Sequence, residues 1–318
     1  MKLISDMDFK KAKFYWTWFR YSYLHGYDKE RVFKILFYFF SIIGFLWTLV
    51  ECFSWIFDKT VPSLPDQLRE FIREKLFWIG AIILLISLYI KRKRIKISQT
   101  FNNTDLTLIV EFCDLFEQEG AIVIPVMDTF DMDTTNNLVN PRTVHGQFLS
   151  KYYPNNIPSL NNEISLSFTN NGFNPIANEP TLRGKKDRYE IGTTCPINTH
   201  NKYFYLTALT FMKDTGNVDI QPHYINQFLS TLWNYIPNHG VYYDTVNIPV
   251  IGTGINRLPA SYTRDFILRE IAHSFFLISK QQTFCKTLRI CLHINDYKHY
   301  DFDDVKIIFN HIDKYLNR

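Results

Sequence analysis

Residues 246–257, VNIPVIGTGINR, decide the fold. Val246–Ile251 is a short apolar run of the kind that fills a strand covered on both faces. It passes straight into Gly252-Thr253-Gly254-Ile255-Asn256-Arg257. Glycines at 252 and 254 let backbone approach a ligand closely, and N–H groups exposed in such a turn suit a phosphate. Ser261 then caps a helix predicted over Tyr262–Lys280, with Ile267, Ile271, Ser274 and Ile278 on its buried face. Strand, glycine loop and helix in this order form a βα junction. Ligands of open α/β sheets bind at the carboxyl ends of the strands, where this loop lies. An ordinary tight turn has the same composition, so the loop has to be weighed with its neighbours.

Working outward, four more apolar runs read as strands: Leu106–Cys113, Ala121–Val126 behind Gly120, Tyr203–Thr210 and Leu288–Ile294. Helices fall between them. In Pro222–Ile236 the apolar residues Ile225, Phe228, Leu229, Leu232, Trp233 and Ile236 keep the helical period, with Pro222 suited to the first turn. Asp301 onward gives a last helix with Val305, Ile308, Phe309, Ile312 and Tyr315 in one stripe. This alternation predicts a three-layer α/β domain over residues 105–318 with a mixed, mostly parallel sheet. Residues 132–190 are rich in Asn and Pro and show no clear period.

Further candidate chemistry follows other strands. Pro125-Val-Met-Asp128-Thr-Phe130-Asp131 and Val144-His145-Gly146-Gln147 offer acids, an aromatic ring and a histidine for ribose hydroxyls and a stacked ring, although solvated loop residues would look the same. Asp114 can accept a hydrogen bond from an adenine amino group or cap a turn. Cys285, Cys291 and His293 have no further paired ligands, so no metal site is read. Neither a Gly-x-Ser-x-Gly elbow nor a Gly-Lys-Ser phosphate loop occurs.

The chain of 318 residues carries 35 Lys+Arg and 31 Asp+Glu, but the charge is uneven. Residues 1–104 hold 17 basic and 9 acidic side chains, net +8, and the remainder is net −4. The acidic remainder argues against nucleic-acid binding there. Basic charge beside apolar runs points to a membrane surface. Ile35–Phe57 is 23 residues with one charge, Glu51, and reaches about 34 Å as a helix, enough for a hydrocarbon core of about 30 Å. Leu76–Ile90 is shorter, 15 residues, and spans if Lys75 and Lys91 snorkel. Expected segments are therefore transmembrane helices over 32–57 and 76–90, an extracytoplasmic loop over 58–75 and a basic tether over 91–104. Lys91, Arg92, Lys93, Arg94 and Lys96, with the basic residues of segment 1–31, place both termini in the cytoplasm. The aromatic and basic stretch Phe9–Tyr27 reads as an interfacial helix within segment 1–31. No signal peptide is visible.

The ordered set Cys113-Asp114-Leu115-Phe116, Ile124-Pro125-Val126-Met127-Asp128-x-Phe130-Asp131, His145-Gly146-Gln147, Ile191-Gly192-Thr193-Thr194 and Gly252-Thr253-Gly254-Ile255 resembles a macro domain. It is most similar to the divergent macro domain of the membrane-anchored Thoeris antiphage defence effectors, and two preceding apolar helices fit that architecture. The resemblance implies an ADP-ribose-type ligand and no other cofactor. Asp114 would sit by the adenine. Asp128, Phe130, Asp131, His145, Gly146 and Gln147 would face the distal ribose and its substituent. Gly252, Thr253, Gly254 and Ile255 would cradle the diphosphate beside Asn256 and Arg257, with Gly192, Thr193 and Thr194 at a neighbouring strand end. It implies a bacterial membrane effector that a TIR-domain partner activates through a signal made from NAD. In that branch the signal is a histidine conjugate of ADP-ribose. Oligomerisation and membrane disruption would follow, ending in abortive infection. Hydrolytic macro domains carry an Asn-Ala-Ala-Asn stretch and then a glycine run. Pro125-Val126-Met127-Asp128 stands in the first place here and no glycine run follows, so ligand binding without catalysis is expected. A membrane-anchored ADP-ribosyl hydrolase and a membrane scaffold are the alternatives.

Overall fold

The computed structural model describes residues 12, 14–20, 29–57, 63–92, 94–101, 104–136, 138–252, 258–259 and 261–316. The chain divides into two compact units, Met1–Arg94 and Ile95–Arg318.

The first unit contains two long helices, α1 (Lys29–Phe57) and α2 (Ser63–Ile90). They form an antiparallel hairpin, and just past the end of α2 the Lys91 ammonium lies 4.0 Å from the centre of the Tyr38 ring in the first half of α1. Burial is inverted relative to a water-soluble helix pair. Ser54 and Ser87 are buried with Ile35 and Ile83, while Phe37, Phe45, Trp47, Trp55, Phe77 and Leu85 are exposed. Ser87 satisfies its hydroxyl within its own helix by donating to Ile83 O (2.8 Å). Val32–Ile56 is the one described helical stretch long and apolar enough to cross a membrane. The apolar part of α2, Phe77–Ile90, falls short of that length, against the expectation of two full spans. Ser63–Lys75, expected as loop, is instead helical, so α2 is long but its first half is charged. Of the expected interfacial helix over 9–27, residues 14–19 are helical, with Tyr15 and Trp16 exposed. The remainder of that stretch lies outside the described residues, apart from 12 and 20.

The second unit begins earlier than expected. Lys96–Phe101, assigned to the tether by its basic flank, is β1, and it pairs antiparallel with β2 (Leu106–Phe112). Its alternation is real but sparse, with Ile97 and Phe101 as the buried members. Then follow β3 (Ala121–Met127), α3 (Val144–Tyr152), α4 (Ile157–Asn171), the short β4 (Ala177–Asn178) and β5 (Asp187–Arg188), β6 (Thr194–Thr199) and β7 (Lys202–Met212). β8 (Val218–Asp219), α5 (Pro222–His239), β9 (Thr245–Pro249), α6 (Arg264–Gln281), β10 (Thr287–Leu292) and α7 (Phe302–His311) complete the unit. The main sheet runs β1-β2-β10-β9-β3-β7-β6, with β8 on β7. The five inner strands are parallel, and β1 and β6 are antiparallel edges.

Strand β7 shows why the domain has three layers. Phe204 packs against Phe148 and Tyr152 of α3 on one face. Tyr205 points the other way, against Tyr235 of α5. Consecutive residues facing opposite helices give the nearly continuous burial of KYFYLTALTFM. On the second face Trp233 of α5 stacks on Phe284 and donates its indole N–H to Ser274 of α6 (2.9 Å). The cap of α6 is Thr263 rather than Ser261, accepting from Phe266 N (3.2 Å). Its buried face continues through Phe275, Phe276 and Ser279, not through Ser274 and Ile278.

Gly120 enters β3 with φ +97°, and a Cβ there would stand 2.2 Å from the carbonyl oxygen of Thr245 at the start of β9. Both the left-handed backbone and the close approach to a neighbouring strand require glycine. Gly120→Ala should therefore cost at least about 2 kcal/mol. A urea midpoint unchanged from wild type would show that this strand entry is not constrained.

Candidate ligand cleft

Strands β3 and β9 are neighbours, yet they pair only through Ala121 with Val246 and Ile122 with Asn247. Beyond those residues they part. The chain order also reverses here: β3 is followed outward by β7, while β9 and β10 insert between β3 and β2. A reversal of this kind opens a crevice at the carboxyl ends of the strands. A cleft of about 470 Å³ lies there. Its floor is Pro125–Met127 of β3, Leu209 and Thr210 of β7, Pro249–Gly252 after β9, and Cys291–His293 after β10.

One wall is the segment before α3 and the first turn of that helix. Thr143 caps α3 by accepting from Gly146 N (3.1 Å), and Gly146 lets the turn press on Asn140, whose carbonyl oxygen would lie 2.2 Å from an added Cβ. The helix N-terminus so placed carries partial positive charge suited to an anion. Asn140, Arg142, His145 and Gln147 line this wall, and Gln147 is held by donating to Arg142 O (3.1 Å). The opposite end is closed by Asp296 and Tyr300, with Arg264 paired to Asp296 at 2.9 Å. Gly216, Asn217 and Val218, at the β7–β8 turn, close a third side.

The sequence-predicted residues divide into three groups. His145, Gln147 and Gly252 line the cleft. Gly252 has φ +69°, and its missing side chain makes room for Leu258, Ile220 and Ile225. Thr253, Gly254, Ile255, Asn256 and Arg257 lie outside the described residues. The others serve the fold. Asp114 is not a cleft residue: it caps the 3-10 turn Leu115–Glu117, accepting from Phe116 N (2.9 Å). Phe130 is fully buried, its ring edge-on to Phe168 and Tyr189. Asp131 accepts from Thr129 Oγ1 (2.7 Å) and Lys185 N (2.8 Å). Gly192 packs on Thr231, Thr194 donates its hydroxyl to Gly192 O (2.9 Å), and Thr193 is buried beside them.

Asp128 is the clearest reassignment. It is buried, 2.5 Å from Arg188 Nη1, and accepts from Met212 N (2.8 Å). Burial is the strongest influence on this carboxyl and raises its pKa; Met212 N–H and the guanidinium pull it back. Arg188 also reaches Glu179 and lies over the Phe211 ring at 3.8 Å. The group therefore fastens β3, β5 and β7 together.

His145 is buried, its Nε2 3.0 Å from Met132 Sδ. Burial, with a smaller contribution from Lys185, lowers its pKa from 6.5 to about 3. The ring is therefore neutral at physiological pH. The unfolded chain takes up this proton below pH 6.5 and the folded chain does not until about 3, so stability is complete above 6.5 and falls as pH falls. At pH 5 the loss from this one group should be about 2 kcal/mol. His145→Gln should reduce the difference in unfolding free energy between pH 7 and pH 5 by that amount; an unchanged difference would show that the ring ionises in place.

A cleft at the carboxyl ends of a mostly parallel sheet, bounded by a helix N-terminus and a glycine turn, is the arrangement of an α/β ligand-binding domain. Residues 108–293 match the family model for the Thoeris protein ThsA, Macro domain. That is more than half of the chain, and the chain belongs to this family. No curated protein matches it. Among solved structures it is similar to the Oceanobacillus iheyensis macrodomain. The form with ADP is 14% identical with a TM-score of 0.45, covering 68% of this chain and 99% of that one. The form with MES bound is also 14% identical with a TM-score of 0.44, covering 68% and 100%.

Proposed function

We propose that this chain is a membrane effector of a Thoeris-type bacterial defence system, gated by an ADP-ribose-type signal that a TIR-domain partner makes. The observation that carries the reading is the cleft between the parted ends of β3 and β9, with Gly252 and the α3 N-terminus on its walls, in a chain of the ThsA macro family. The diphosphate sits against the Gly252 turn, and the distal ribose and its substituent lie toward Asn140, Arg142 and Asn217. Neutral His145 can hydrogen-bond a hydroxyl or an imidazole there. The domain binds and does not turn its ligand over. The α1–α2 hairpin anchors the chain in the cell membrane with both termini cytoplasmic.

Occupancy of the cleft shifts an assembly equilibrium, and a ligand can do so only by its differential affinity for the two states. Two helices per chain do not enclose a pore, so several chains must gather before the membrane is breached. Full-length protein in dye-loaded vesicles tests this. Addition of ADP-ribose or its histidine conjugate should release dye and increase particle size together. Binding with neither effect would contradict gating.

A further inference from the structure

The hairpin carries its charges in two bands, each spread over about one helical turn. Lys34 of α1 and Lys91 after α2 stand at one end, and Lys91 reaches the Tyr38 ring, one turn beyond Lys34. Glu51, six residues before the end of α1, and the run Arg73-Glu74-Lys75, ten to twelve residues after the start of α2, form the other band. Between these bands α1 has 16 uncharged residues, Ile35–Val50, and α2 has 15, Leu76–Ile90. At the helical rise these are about 24 and 23 Å. Both are several ångströms shorter than a typical hydrocarbon core of about 30 Å, which the full apolar stretch of α1, Val32–Ile56, reaches only with Glu51 inside it. The agreement between the two helices matters. A single short apolar run tilts nothing and explains nothing, whereas two antiparallel runs of equal length fix a thickness. The exposed rings between the bands, among them Phe37, Phe45, Phe77 and Trp78, give that stretch its apolar surface.

We propose that the hairpin is fitted to a thin hydrocarbon layer of about 23 Å and compresses the bilayer around it. This rests on the two-pass reading of the anchor. Its partner is the lipid itself, and bilayers of short acyl chains are the favoured environment. In a bilayer too thick to be compressed to this depth, α2 withdraws because Glu74 would enter hydrocarbon. Each added hairpin would extend the thinned area, so gathering of chains would weaken the barrier even where the helices enclose no channel.

The test uses full-length Ser63→Cys protein in vesicles of phosphatidylcholine with monounsaturated chains of fourteen to twenty-two carbons, soluble domain outward. A membrane-impermeant maleimide is applied outside, and labelling at position 63 is read by peptide mass, which separates it from the native cysteines. The expected result is protection of position 63 in the short-chain vesicles and at least a tenfold fall in the protected-to-labelled ratio in the longest. Glu51→Leu/Arg73→Leu/Glu74→Leu/Lys75→Leu lengthens both uncharged runs to at least 20 residues and should be protected throughout. Equal protection of Ser63→Cys protein at every chain length would overturn the thickness fit and leave the two-pass anchor standing. Labelling at every chain length, including the shortest, would overturn the two-pass reading and the inference with it.

Discussion

Arg188→Met should lower the stability of the soluble domain by about 3–5 kcal/mol, the usual consequence of leaving one member of a buried ion pair without its partner. Arg188 is 3% exposed in its side chain and Asp128 2%, so neither recovers hydration when the other is lost. Methionine fills much of the arginine's volume, so the loss reports charge more than cavity. Asp128 keeps Met212 N–H alone and takes up a proton at a higher pH than in the wild-type domain. In a domain of this size the melting temperature should fall by about 10 °C. The double variant Arg188→Met/Asp128→Asn should recover part of the loss, because it removes the orphaned charge. Ligand affinity in the surviving folded fraction should be unchanged, since neither residue lines the cleft. A loss of affinity without a loss of stability would return Asp128 to the ligand.

Gly252→Asp should reduce affinity for ADP-ribose by at least a hundredfold. A carboxylate about 5 Å from a diphosphate repels each charge by about 3 kcal/mol at an effective dielectric near 20. Either Asp or Asn at this position carries backbone strain at φ +69°, smaller than for most residues because these two visit the left-handed region more readily. The added Cβ meets the tips of flexible side chains, Leu258 Cδ1 at 2.9 Å and Ile220 Cδ1 at 3.2 Å. Gly252→Asn carries nearly the same shape without the charge and should bind at least tenfold better than Gly252→Asp. Equal affinities for the two variants would mean that no anion lies at this turn.

The contrast between these two sites shows what the sequence could reveal. The five central strands were legible because β2, β3, β7, β9 and β10 are buried apolar runs. Gly252 was legible as a turn glycine at the end of a buried strand, a pattern that an ordinary tight turn shares with a ligand loop. Asp128, Phe130 and Asp131 were misread because an acid–aromatic–acid run after a strand looks alike whether it faces a ligand or the interior. What separates the cases is Arg188, sixty residues away on the short β5, and no local pattern announces that pairing. Helix α4 was hidden because its buried side rests on Leu160, Ile164 and Phe168, one row in an otherwise polar, Asn-rich stretch. β1 was hidden by the basic run before it. Asn140, Arg142, Asn217 and Tyr300 reach the cleft from loops and a C-terminal turn whose positions depend on the tertiary fold. In the helical hairpin, composition showed an apolar run in each helix, but the helical Ser63–Lys75 was legible only in the structure.

The central claim is that the cleft beyond β3 and β9 holds an ADP-ribose-type ligand. Calorimetric titration of the full chain in lipid nanodiscs with ADP-ribose and with its histidine conjugate tests it most directly, with Gly252→Asp as the control. The account predicts saturable binding of at least one of the two, one ligand per chain, and its loss in the control. A folded protein that gives no binding heat with either compound, or one whose binding is unaffected by Gly252→Asp, would contradict it.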